Sequence, residues 1–250
     1  MLVVVSPAKK LDMDPVAGVQ PTQPMFPERT RELVTEAAKL TSGELEKLMK
    51  ISPNLAKLNQ QRFSDFGSQD RKPAAFAFAG DTFQGLEVAT LDADALRWAQ
   101  EHLRILSGLY GVLRPLDEIE PYRLEMGSRL KTEHGKNLYE YWGSELALEL
   151  STQAKTTKST AVINCASQEY FQAVDTRSLA VPVISPVFME NTEKGPKIIS
   201  FYAKRARGAM ARFVVSNRIA TPAELCDFEA GGYRYEPDLS SENKPVFLRG

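Results

Sequence analysis

Cysteine and histidine are scarce in this chain of 250 residues, with two of each. Cys165 and Cys226 cannot staple a disulfide scaffold and suit a reducing compartment. With only His102 and His134 beside them, no zinc-ligand spacing exists, so no metal or other cofactor is expected. No apolar run approaches the roughly 18 to 20 residues of a membrane span. The opening Met1-Leu-Val-Val-Val5 has no basic segment ahead of its short apolar run, which suits a strand and not a leader. A P-loop, a nucleophile elbow and a dinucleotide fingerprint are all missing. Internal repeats and low-complexity segments are missing too. The expectation is a cytoplasmic globular protein with no membrane association and no obligate protein partner.

What is present is ordinary in bulk. Apolar residues make up 43% and charged residues 25%, enough for a sizeable core in one domain spanning residues 1–250. Leu2 to Val5, Ala74 to Ala79, Ala161 to Cys165, Val181 to Val187, Lys197 to Tyr202 and Val246 to Leu248 have strand composition. Helical spacing is expected over Thr30 to Leu40, Thr41 to Lys50, Ser52 to Phe63, Asp94 to Ser107, residues 137–150 and Ala203 to Asn217. Gly108 and Gly111 would terminate the fourth of these, and Thr152 to Ser159 has the composition of a loop. Strands and helices interleave irregularly. The fold class is therefore α+β: one compact unit with a mixed sheet and surrounding helices.

Charge is unevenly distributed. Seven basic residues and no acid lie between Lys194 and Arg218, in a chain of net charge −1. Such a field attracts anions, whether nucleic acids or phosphorylated metabolites; the alternative is a solvated helix face. With Lys204 at 0° and about 100° per residue, Arg205, Arg207 and Arg212 fall on one side and Ala206, Ala209, Met210 and Phe213 on the other. Gly208 lies inside the basic face. A mid-helix glycine costs about 1 kcal/mol relative to alanine. It is explained by close approach of a phosphate or of another segment of the chain.

Two further constellations stand out. Leu45 to Asn59 runs helix, tight turn, helix, and resembles a helix-hairpin-helix near residues 42–63. Its two hairpin glycines are replaced by Lys50 and Ser52. The N–H groups around Ser52 and Asn54, with Lys50 and Lys57, would hold a phosphate; a capped helical hairpin in the core is the alternative. Asn164, Ser167, Glu169 and Tyr170 follow a buried strand, as Ser6, Lys9 and Lys10 follow the first. Such strand ends are frequent ligand sites. An enzyme or small-anion binder would use Ser6, Lys9, Asn164, Ser167, Glu169, Tyr170 and Lys204. The alternative is a polar turn capped by Ser167. Arg123 and Glu125 share one side if extended and would pair. Cys165 suits the core better than nucleophilic chemistry.

The blocks SPAKKLD from Ser6, LSGLYGVLRPLD from Leu106, PYRLEMG from Pro121, INCASQEYF from Ile163 and KIISFYAKRARGAMARF from Lys197 occur in this order. Together they resemble the YaaA family of bacterial peroxide stress proteins, from Met1 to about Tyr235. The family commonly has INLAS where this chain has Cys165 and SPAKT where it has Lys10. The resemblance implies a cytoplasmic protein of the hydrogen peroxide response that limits iron-mediated damage. It also implies non-sequence-specific binding of double-stranded and branched DNA through a basic cleft and a helix-hairpin-helix. The residues expected to contact DNA are Lys9, Lys10, Lys50, Ser52, Asn54, Lys57, Lys204, Arg205, Arg207, Gly208 and Arg212. The family supplies no catalytic residues to carry over.

Overall fold

A computed structural model describes residues 1–250. In chain order the elements are β1 (Leu2–Val5), α1 (Pro27–Ala38), α2 (Ser42–Met49), α3 (Pro53–Ser64), β2 (Lys72–Pro73), α4 (Ala74–Ala77), α5 (Asp81–Leu86), α6 (Ala93–His102), β3 (Leu103–Ser107), β4 (Gly111–Leu113) and β5 (Glu118–Ile119). They continue with α7 (Leu138–Trp142), α8 (Glu145–Thr156), β6 (Val162–Cys165), α9 (Gln168–Phe171), β7 (Val183–Ile184), β8 (Val187–Glu190), α10 (Ser200–Ser216), β9 (Arg234–Tyr235) and β10 (Val246–Arg249). The class is mixed α/β, and one hydrophobic cluster runs from Met1 to Phe247.

Leu2 to Val5 are all fully buried, as a continuous apolar strand covered on both faces requires. β1 is the centre of a five-stranded sheet ordered β4-β3-β1-β6-β7. β3, β6 and β7 run parallel to it or to its neighbours, and β4 closes one edge antiparallel. The chain leaves β1 for β3 on one side, then crosses back to β6 and β7 on the other. The carboxyl ends of β1 and β6 therefore flank the point where winding reverses, the usual ligand crevice of such sheets. A second sheet, β8-β10-β9, and a short β2-β5 pair complete the strands. No helix is long and apolar enough to cross a membrane.

Several sequence expectations are corrected. Leu103 to Ser107 is not the end of a helix but a buried strand beside β1. The segment mimics helical spacing because it carries Arg104, which is itself buried and donates to the Gln100 and Leu103 carbonyls at 2.9 and 2.8 Å. Gly108 accordingly lies in the β3–β4 turn and Gly111 opens β4, so neither is a helix stop. Ala74 to Ala77 forms one helical turn after Pro73 instead of a strand, and only the end of the segment keeps an extended partner, with Phe78 bridging Leu11 and Ala79 donating to the Lys10 carbonyl at 3.0 Å. Lys197 makes a single bridge to Glu190, and the helix begins at Ser200.

The segment placed in a loop from Thr152 is helical to Thr156. The hydroxyls of Ser151, Thr152 and Thr156 donate to the carbonyls of Ala147, Leu148 and Thr152 at 2.8 to 2.9 Å. That back-bonding lets a polar stretch stay helical. The helix expected over residues 137–150 is two, broken at Gly143, whose φ of 49° and ψ of −122° no helix accepts. The strand expected from Val181 divides at Ser185-Pro186 into β7 and β8, in different sheets.

Candidate nucleic-acid interface and strand-end sites

α10 is the helix that carries the charge run, and its basic face is not continuous. α5 lies directly on its centre. A Cβ at Gly208 would overlap the Thr82 carbonyl, and one at Gly85 would overlap the Arg205 carbonyl. Two glycines therefore face each other, and the close approach that Gly208 permits is filled by the chain itself. Gly208 and Ala211 are buried there. Arg212 is also committed to this contact. Its guanidinium donates to the Leu86 and Glu87 carbonyls at 3.1 and 2.9 Å, which satisfies the C-terminus of α5.

Arg205 and Arg207 consequently end up on opposite sides of α5. Arg205 is exposed with Lys204, beside a groove of about 650 Å³ shared with Tyr202, Phe213, Tyr233 and Arg249. Ahead of it, Lys194 and Lys197 are exposed as well. None of these four cations has a carboxylate at ion-pair distance. Large apolar groups lie among them: Ile198 is 56%, Phe201 54% and Tyr202 40% exposed. The Arg249 guanidinium sits over the Tyr202 ring at 4.2 Å and is held by Glu190 at 2.7 Å. Tyr202 in turn contacts Phe201 edge-on, with centroids 5.5 Å apart. The charge run signals the cations. The aromatic pair lies within the same run, where its strand-like composition hides its place on the helix.

The strand ends are organised differently. Ser6, after β1, accepts the Ser167 N–H at 2.8 Å and donates to the Ser167 hydroxyl at 3.2 Å. Ser167 holds the N-cap position of α9, but its side chain does not cap the helix. Glu125 reaches the same crevice. It pairs with Arg123 at 2.9 Å and Lys9 at 3.4 Å, the first of these as the alternation suggests. The other Glu125 oxygen, Oε2, is buried without a partner. Tyr122 meets Ser107 at 2.6 Å, and burial pushes the hydroxyls of Tyr122 and Tyr170 up, so both stay protonated. Glu169 accepts the Gly127 N–H at 3.0 Å. Ser6, Lys9, Ser167, Glu169 and Tyr170 thus lie around one crevice, but the serines bond to each other, Lys9 pairs with Glu125 and Glu169 is held by the Gly127 backbone, and the cavity among Lys9, Glu125 and Tyr170 holds only about 20 Å³. Burial pushes the Cys165 thiol up to about 12, which leaves negligible thiolate at neutral pH.

Asn164 faces away from this cluster, into a larger pocket with Arg207. Lys204, expected at the strand ends, stays on the exposed side, and Arg207 takes the inward position. Lys10 is exposed. In the helical hairpin, Thr41 and Glu44 form the expected capping box, at 3.3 and 2.8 Å. Ser52 caps α3 by accepting the Leu55 N–H at 3.4 Å. Lys50 adopts the left-handed conformation, φ 52°, where hairpin motifs favour glycine. Lys50, Ser52, Asn54 and Lys57 are exposed. The hairpin packs on α1, whereas α10 packs on α5 and the main sheet.

The chain is similar to known proteins along its whole length. The family model of the peroxide stress protein YaaA matches residues 1–239. A UPF0246 protein of Ruegeria pomeroyi is 55% identical across all of this chain and 98% of its own length. UPF0246 proteins of Roseobacter denitrificans and a Jannaschia species are 56% and 54% identical, again across all of this chain and 98% and 97% of theirs.

Proposed function

The chain belongs to the peroxide stress protein YaaA family, and from that premise we propose that it binds DNA without sequence specificity through the start of α10. One observation carries this reading: Lys194, Lys197, Lys204 and Arg205 are exposed and unpaired around exposed Phe201 and Tyr202. Unpaired cations supply the sequence-independent phosphate attraction that dominates nonspecific binding. Exposed aromatic rings add stacking of about 1 to 3 kcal/mol per unpaired base. Duplex therefore binds through its phosphates, and branched DNA gains from bases freed at the branch. Lys10 and the hairpin residues Lys50, Asn54 and Lys57 extend the phosphate contacts.

The same occupancy gives a route to limiting iron damage. Bound lysines release condensed cations from the phosphate backbone, and ferrous ion is among those displaced. The test is a fluorescence anisotropy titration of duplex and branched oligonucleotides at several salt concentrations. Salt-dependent binding, tighter for the branched form, is expected. Absence of binding at low salt, or affinity independent of salt, would overturn the reading. Nicking of plasmid by ferrous ion and peroxide, compared with and without protein, tests the protective part.

A further inference from the structure

Arg207 is two residues from Arg205, yet it serves a different part of the molecule. It is only partly exposed, and it makes no hydrogen bond or ion pair within the chain. Six of the seven other arginines that are not exposed have an acceptor: Arg29, Arg104, Arg114, Arg123, Arg212 and Arg249 each donate to a carboxylate or a carbonyl. Arg62 alone shares the unpartnered condition, and it borders none of the large surface cavities. Arg207 opens onto one of about 690 Å³, a size common for small-molecule sites.

The walls of that cavity set several fixed polar groups among apolar side chains such as Phe171 and Val187. Asn164, at the end of β6, accepts the Ala166 N–H at 3.0 Å and donates to Ser185 at 3.3 Å. Ser185 follows β7, and its N–H donates to the Asn243 carbonyl at 2.9 Å. This ties the 241–244 turn to the sheet edge, and that turn brings Lys244 to the same cavity. Gln168 and Gln172 line it from α9 and the residue after it. Asp175 is the one carboxylate on the wall, and it is already held by Arg177 at 2.9 Å and Ser178 at 3.1 Å. The cavity lies outside the carboxyl ends of two parallel strands, where such sheets place ligands.

A partly desolvated guanidinium without an acceptor is unfavourable unless an anion completes it. Two cations set among amides and a hydroxyl match a phosphate carried on a hydroxyl-bearing body, with Arg207 engaging phosphate oxygens bidentately. We propose that Arg207, Lys244, Asn164 and Ser185 form a binding site for a small phosphomonoester, separate from the DNA surface. The ligand phosphate lies between Arg207 and Lys244, and Gln168, Gln172 and Ser185 address its hydroxyls.

The experiment is an NMR titration of the isotope-labelled full chain with inorganic phosphate, adenosine monophosphate and citrate. Phosphate and the nucleotide are expected to shift the amides of Asn164 to Gln172 and of Lys244 saturably, with roughly millimolar affinity or better. Arg207→Gln is expected to weaken this by roughly tenfold or more, and Arg207→Lys by less. DNA affinity is expected to be unchanged in both, which separates failure of this site from failure of the DNA reading. Lack of saturable shifts, shifts centred on Lys197 to Arg205, binding of citrate in place of phosphate, or unaltered affinity in Arg207→Gln would overturn the proposal. If Arg207→Gln does not fold, Lys244→Ala on the exposed turn decides in its place, with a several-fold loss expected and no loss overturning it.

Discussion

The start of α10 and the crevice after β1 hold their cations in opposite states. At the crevice, Lys9 and Arg123 converge on Glu125, and the serines and tyrosines around them bond to each other. Just before α10 and in its first turns, Lys194, Lys197, Lys204 and Arg205 have no carboxylate at ion-pair distance and lie among exposed aromatic and aliphatic side chains. Internal pairing fixes a structure, because removing one partner strands the other in a low-dielectric site. Unpaired surface charge fixes nothing internally and is available to an outside anion. The comparison teaches that a cation's availability depends on its neighbours in space, which a count of basic residues does not reveal.

The largest effect is expected between these regions, where α5 meets α10. Gly208→Val inserts side chain into the Thr82 carbonyl. Overpacking of this kind costs about 1 to 3 kcal/mol and more where backbone is the obstacle. Thermal denaturation should show a melting temperature lower by several degrees or outright failure to fold. A fully stable Gly208→Val protein would mean the helix face is open, and the contrast between the two regions would collapse.

Next in size is the pairing at Glu125. Glu125→Ala leaves Arg123 without its carboxylate, at an expected cost of about 1 to 3 kcal/mol in urea denaturation. Lys9, whose side chain is 68% exposed, contributes little by comparison, and Lys9→Ala should change stability by less than about 0.5 kcal/mol. Equal effects from the two substitutions would contradict the assignment of Glu125 and Arg123 as the anchored pair.

His102 sharpens the comparison from a third direction, since burial keeps it uncharged at neutral pH. Its ring stacks on Trp98 at 3.7 Å, and burial, the main cause, lowers its pKa from 6.5 to about 4. The unfolded chain then takes up the proton first. The stabilisation from keeping this ring neutral is complete above about pH 6.5 and is lost as pH falls from there toward 4. A modest decline in melting temperature over that window is expected, and it should flatten in His102→Gln. An unchanged slope in that variant would remove His102 as the cause.

Much of the fold is legible in the sequence. The buried run Leu2 to Val5, the capping box at Thr41 and Glu44, and Pro53 after Ser52 each encode local structure directly. The errors share one physical origin. Arg104 sits in a buried strand, Ala74 to Ala77 turns helical where a strand is expected, and Ile198 and Ile199 are exposed. In each case tertiary placement overrides the local pattern. Gly208 is legible as a point of close approach, but periodicity does not tell a phosphate from another helix. The crevice is partly legible, because Ser6, Lys9, Ser167 and Tyr170 all follow strands. Its pairing with Glu125 depends on a segment more than a hundred residues from Lys9. Arg207 and Lys244 carry no local signal that would join them.

The central claim is that the unpaired cations at the start of α10 contact DNA while the paired ones do not. The most direct measurement is the salt dependence of duplex affinity for the unaltered protein, for Lys197→Ala/Lys204→Ala/Arg205→Ala, and for Lys9→Ala/Arg123→Ala. The triple substitution should weaken binding by roughly thirtyfold or more and reduce the log–log salt slope by about 0.9 for each phosphate that is no longer neutralised. The double substitution should leave both unchanged. An intact slope in the α10 variant, or an equal weakening in the crevice variant, would contradict the account.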